Sequence, residues 1–104
     1  IIGVKKDTLI NYGAVSKNTA KEMSLATLNF TKSDMCLSVT GIAGPSGGSK
    51  EKPVGTVYFS FIDKHGFSQE NKYLFKGSRD DIRHSAAEKG IQIILDCMTI
   101  IKTK

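Results

Sequence analysis

The chain has 104 residues, 39% hydrophobic and 24% charged, which is the size and balance of one globular domain with a core of its own. No apolar run reaches the roughly 20 residues a membrane span needs, and no secretory signal opens the sequence. The formal charge of +5, from 15 Lys plus Arg against 10 Asp plus Glu, raises nucleic acid as a partner. The lysines are scattered, however, and no aromatic residues interleave with them to stack bases. That ranks nucleic acid last, behind a solvated basic surface and attraction to an anionic small molecule.

The chain opens on the apolar run Ile1, Ile2, Gly3, Val4, as if in the middle of a domain. Asp7 can cap a short helical turn through Tyr12, which Gly13 ends. Ser16 is the expected N-cap of a second helix running to Thr31 or Lys32. Ala20, Met23, Thr27 and Phe30 recur at spacings of three and four and are expected to face the core, with Lys17, Lys21, Glu22 and Asn29 in water.

Met35 to Thr40 reads as a strand with Met35, Leu37 and Val39 on one face. Small Cys36, Ser38 and Thr40 on the other face suit a sheet covered on both sides. After the loop Gly41 to Pro53 comes the strongest strand, Val54 to Ile62, dense in β-branched and aromatic residues. Asp63 to Gly66 turns the chain into Phe67 to Phe75, the second arm of a hairpin, polar enough to be an edge. Ser78, with Asp81 three residues on, signals a capping box at the start of the last helix. Ile82, Ala86, Gly90, Ile93, Ile94, Cys97 and Ile101 form its inward stripe, Gly90 allowing close approach to the sheet. Helices and strands in this order predict an α/β layered fold.

Two cysteines, Cys36 and Cys97, make no disulfide framework and no zinc spacing, and both fall in core-like patterns. A reducing, cytoplasmic setting is expected. His65 belongs to a turn, and His84 beside Ser85 cannot face a common site with it, so neither is assigned to catalysis.

Thr40, Gly41, Ile42, Ala43, Gly44, Pro45, Ser46, Gly47 and Gly48 leave the carboxyl end of the first strand, where ligands of α/β sheets gather. Glycines let backbone approach a ligand, and consecutive N–H groups can cradle an anion. The loop matches neither the P-loop nor the dinucleotide fingerprint, and its composition leaves a plain turn-rich connection open. Lys50, Lys52, Arg79 and Arg83 are the candidate anion partners. Arg79, at the first turn of the last helix, is preferred. For Arg83 a solvated pairing with Asp80 or Asp81 is the expectation.

Several blocks carry a resemblance: Gly13-Ala14-Val15-Ser16, Ser38-Val39-Thr40-Gly41-Ile42-Ala43-Gly44-Pro45-Ser46-Gly47-Gly48, Lys52-Pro53-Val54-Gly55-Thr56-Val57 and Phe75-Lys76-Gly77-Ser78-Arg79. In order and spacing the chain resembles the CinA C-terminal domain. That family includes nicotinamide-nucleotide amidases and competence/damage-inducible proteins. The resemblance implies a three-layer α/β/α fold, here residues 1–104 as a single partial domain truncated at its N-terminus. It implies hydrolysis of the amide of nicotinamide mononucleotide by a nucleophilic Ser, with no metal or cofactor. It also implies that Thr40, Gly41, Ile42, Ala43, Gly44, Lys52 and Arg79 hold the substrate, with Thr40 as possible catalytic support and Arg79 and Lys52 on the phosphate.

The family's T-A-E-S-x-T-G-G motif, which carries that nucleophile, does not occur here, and neither does the segment with its candidate Lys and Tyr. No serine of the chain matches the nucleophile position. The expectation is therefore part of a binding site without its chemical centre, inactive alone, and a homo-oligomer formed over uncovered sheet. The alternative is a non-catalytic binding or interaction module.

Overall fold

In the computed structural model, residues 4–102 are described, and the opening Ile1, Ile2 and Gly3 lies outside them. The chain runs α1 (Lys6–Tyr12), α2 (Lys17–Thr31), β1 (Met35–Gly41), β2 (Thr56–Asp63), β3 (Ser68–Leu74) and α3 (Arg79–Lys102). The strands form one antiparallel sheet in the order β1-β2-β3, with Val39 opposite Phe59 and Phe59 opposite Asn71. Helix α2, with α1 packed against it, covers one face and α3 the other, which is the expected three-layer α/β/α arrangement.

Two of the helix starts follow the sequence. The Ser16 hydroxyl accepts from the Thr19 N–H at 3.1 Å and starts α2. At α3, the Ser78 N–H donates to Asp81 Oδ2 at 2.9 Å and the Asp81 N–H to Ser78 Oγ at 3.2 Å, a reciprocal capping box. Helix α1 departs from expectation. Its N-cap is Lys5, and Asp7 lies within the first turn. The partner for this end comes from α2, because Glu22 accepts from the Lys5 N–H at 2.8 Å and from the Thr8 hydroxyl. Glu22 is thus a tie between two helices and not a solvated side chain.

The α3 face of the sheet holds the main core. Val57, Phe59 and Phe61 of β2 meet Ile82, Ile93 and Cys97 of α3. The rings of Phe67, Tyr73 and Phe75 pack around Phe61 and Phe59. Burying a Phe such as Phe59, fully enclosed here, contributes about 2–3 kcal/mol. A methyl added at Gly90 would stand 3.2 Å from Leu37 Cδ2, so the helix does approach the sheet closely there.

The α2 face is built differently and corrects the expected register. Thr19, Ala20, Ser24 and Leu28 are buried, whereas Phe30 is 84% exposed. The sheet offers α2 small hydroxyl residues. Ser24 and Ser60 share a 2.9 Å hydrogen bond, and the Ser38 hydroxyl donates to the Ala20 carbonyl. Small residues on both sides let helix and sheet approach, and paired hydroxyls satisfy one another. A ring on this face would hold the layers apart.

Strand β2 begins at Thr56, two residues later than the pattern of Val54 and Gly55 suggests. Gly55 has φ +100°, a left-handed conformation that ends regular pairing.

Candidate functional site at the glycine-rich loop

Strand β1 ends at Gly41, β2 starts at Thr56, β3 ends at Leu74 and α3 starts at Arg79, so these termini share one end of the sheet. The loop 42–55 folds back on itself there. The Ile42 N–H donates to the Thr56 carbonyl at 2.9 Å and the Gly55 N–H to the Ile42 carbonyl at 2.7 Å. Further out, the Ser49 N–H donates to the Lys52 carbonyl at 2.9 Å, and the Lys52 N–H to Ser49 Oγ at 3.0 Å. Buried Gly44, at φ +82°, stands where a methyl would come within 2.5 Å of Val54 Cγ1. Glycine at 44 therefore has a packing reason of its own. It lets the loop close on Val54.

The residues singled out from the sequence fall into two groups on opposite faces of the sheet. Thr40 and Lys52 turn toward α1 and α2. The Thr40 hydroxyl donates to the Ala14 carbonyl at 2.8 Å. The Lys52 ammonium donates to the carbonyls of Tyr12 at 2.9 Å and Val15 at 2.6 Å. Between them, the Gly13 carbonyl accepts from Thr19 Oγ1 at 2.6 Å and Ser16 Oγ at 3.1 Å. Every carbonyl from Tyr12 to Val15 thus meets a side-chain donor. The connector between α1 and α2 is fixed as a turn whose acceptors all point into the protein. This ties Gly13-Ala14-Val15-Ser16 to Thr40 and Lys52, a link that composition could not reveal because the acceptors are backbone.

Arg79 belongs to the other group. Its Nη1 donates to the Gly44 carbonyl at 3.0 Å and ties the start of α3 to the loop. Arg79 forms no ion pair with Asp80 or Asp81 among the described residues. The Asp81 carboxyl is held below the usual carboxylate range by the Ser78 N–H and hydroxyl.

Beside Arg79 on the α3 face lies a groove of about 340 Å³. It is bounded by Val39, Gly41 and Ala43 on the sheet side and by Ile82, Arg83 and Ala86 on α3. Arg83, expected in solvent beside Asp80 and Asp81, is brought to the loop by the fold. A signal was available in its position one helical turn beyond Arg79.

None of the described serine hydroxyls bonds a His, Lys or Tyr side chain. Ser16 and Ser78 cap helices, Ser24 and Ser60 pair with each other, and Ser38 bonds a carbonyl. His65 sits in the β2–β3 turn with its N–H on Asp63, and His84 pairs with Glu88 at 2.8 Å. Burial pushes the thiols of Cys36 and Cys97 up, away from the reactive thiolate. Among the described residues, no group of three or more His, Cys, Asp or Glu could hold a metal ion, and no helix is long and apolar enough to cross a membrane. The arrangement offers a braced backbone loop, an apolar groove and guanidinium donors.

Residues 1–98 match the family model of the CinA C-terminal domain. A CinA-like protein of Endomicrobium trichonymphae is 47% identical over 94 residues, covering 90% of this chain and 22% of the relative. The nicotinamide-nucleotide amidohydrolase PncC of Enterobacter agglomerans is 46% identical over 95 residues, covering 91% of this chain and 58% of the relative. The crystal structure of the competence/damage inducible protein CihA from Agrobacterium tumefaciens superposes with a TM-score of 0.89 at 33% identity, over 91% of this chain and 58% of that one. The chain thus spans a little over half the length of the amidohydrolase and of the solved protein.

Proposed function

This chain belongs to the CinA C-terminal domain family, and on that premise we propose that it forms one wall of a nicotinamide-nucleotide amidohydrolase site and binds the phosphorylated substrate there. The observation that carries this reading is the bracing of the loop Gly41 to Gly44 at the carboxyl end of β1. Lys52 and Thr40 fix the connector beside it on one face, and Arg79 holds the Gly44 carbonyl on the other. A loop held from both sides keeps its shape before the ligand arrives, which lowers the ordering cost of binding.

In this reading the Gly41–Gly44 segment faces the substrate. Thr40, Lys52 and Arg79 serve it by holding that segment and its neighbouring connector in place. The reaction itself needs a nucleophile and a base within hydrogen-bond reach of each other. None of the described serine hydroxyls has a His, Lys or Tyr side chain as its hydrogen-bond partner, so in this reading the nucleophile is supplied by residues other than these 104. The proposed contribution here is recognition.

Calorimetric titration of the 104-residue chain with nicotinamide mononucleotide tests the reading, alongside an assay for released ammonia. The expected outcome is saturable binding without ammonia release. Ammonia release above the uncatalysed background overturns the assignment of the nucleophile elsewhere. Absence of binding at millimolar ligand overturns the binding role and favours an interaction module.

A further inference from the structure

We infer that Arg83 is the phosphate-binding cation of this site and that the groove beside it receives the flat ring of the same ligand, an inference that rests on the reading above. Four cations stand in or beside the loop, and one of them, Lys50, does not line the groove. Lys52 spends its ammonium on the carbonyls of Tyr12 and Val15, and Arg79 donates to the carbonyl of Gly44. Arg83 lines the groove and takes part in none of the ion pairs among the described residues. Its guanidinium keeps its full donor fork for an incoming group, and that fork matches the oxygens of a phosphate.

The groove fits the rest of such a ligand. Its volume of about 340 Å³ falls within the usual range for small-molecule sites. Its walls are small or apolar: Val39, Gly41 and Ala43 on one side and Ile82 and Ala86 on the other. Gly41, Ala43 and Ala86 add little side-chain bulk to those walls. Gly41 and Ala43 belong to the loop that Arg79 braces, so the groove is continuous with the candidate site. The occupant is therefore a small molecule with one flat ring and one phosphate, its charge complementary to Arg83. The roles of the two arginines separate: Arg79 positions the loop, and Arg83 contacts the anion.

The test is a two-dimensional amide NMR titration of the 104-residue chain with nicotinamide mononucleotide, with nicotinamide riboside as the phosphate-free comparator. Backbone signals of Ala43 and Ala86 and the Arg83 Nε–H are expected to shift with the mononucleotide. The riboside should bind roughly tenfold more weakly. Arg83→Ala should abolish that difference and Arg83→Lys should restore part of it, with melting curves confirming that both variants fold. If signals near Thr40 and Ala14 respond while the groove stays still, or if Arg83→Ala keeps the preference for phosphate, this inference fails and the binding reading stands. If the groove responds equally to both ligands, Arg83 is not the phosphate cation. If no signal moves at millimolar ligand, both fail.

Discussion

Arg79 Nη1 lies 3.0 Å from the Gly44 carbonyl oxygen, so the first turn of α3 and the glycine-rich loop share a hydrogen bond. The contact turns a side chain that looks like a ligand cation into a brace for the backbone around the ligand. Charge alone cannot separate the two roles, because a guanidinium serves a carbonyl and a phosphate with the same N–H groups.

Replacing Arg79 should therefore loosen the loop before it affects the fold. Arg79→Ala is expected to speed amide hydrogen exchange across residues 42–48 while exchange in β2 stays unchanged. Arg79 is exposed, so the melting temperature should fall by a few degrees at most. Unchanged loop exchange would show that Gly44 is held by its packing on Val54 alone.

Gly55 is the position in the same loop where the fold tolerates least. Its φ is +100°, and a methyl there would stand 2.0 Å from the Phe75 carbonyl oxygen. Its N–H bonds the Ile42 carbonyl and its own carbonyl accepts from the Phe75 N–H at 2.9 Å, so it cannot move away without releasing both neighbours. Gly55→Ala is expected to cost about 3 kcal/mol or more in urea unfolding. A loss below about 1 kcal/mol would mean that the loop can re-form around an alanine.

These positions show what sequence can and cannot carry. The capping box of Ser78 and Asp81 is legible because both partners lie within one turn, and the three-layer fold is legible because Cys36, Ser38 and Thr40 make the second face of β1 small. The inward face of α2 is not. Ranking by hydrophobicity selects Phe30, whereas the contact is chosen by Ser24 meeting Ser60 from 36 residues away. The role of Lys52 is hidden for a related reason, since its acceptors are carbonyls that leave no mark on the identity of Tyr12 or Val15. Arg83 stands one helical turn beyond Arg79, but its neighbours in the chain do not show that a groove lies beside it.

Acid should weaken the fold through three carboxylates. Glu22 is held below its usual range chiefly by the Thr8 hydroxyl and then by the Lys5 N–H, Asp34 by Lys64, and Asp81 by Ser78. Each binds its proton less firmly in the folded chain than in the unfolded one. Their contribution is therefore present above the unfolded carboxylate range and is lost as the pH falls through about 4 and below. The melting temperature should hold steady near neutrality and drop from about pH 5 downward. Glu22→Gln should flatten part of that drop, and an unaltered pH profile in this variant would remove Glu22 from the account.

The hydroxyl pair between α2 and the sheet makes an asymmetric prediction. Ser24 Oγ bonds both the Lys21 carbonyl at 3.0 Å and Ser60 Oγ at 2.9 Å, whereas Ser60 has Ser24 as its side-chain partner, and both residues are 0% exposed. Ser60→Ala leaves Ser24 still bonded to Lys21 and should cost about 1 kcal/mol or less. Ser24→Ala strands the Ser60 hydroxyl in a dry interface and should cost more, about 1–3 kcal/mol. The double variant should be no less stable than Ser24→Ala, because the stranded group is then gone. The coupling read from this cycle by urea unfolding should be clearly favourable. Equal costs for the two single variants would mean that water reaches the pair, and the closeness of α2 to the sheet would then have to come from the small size of the residues alone.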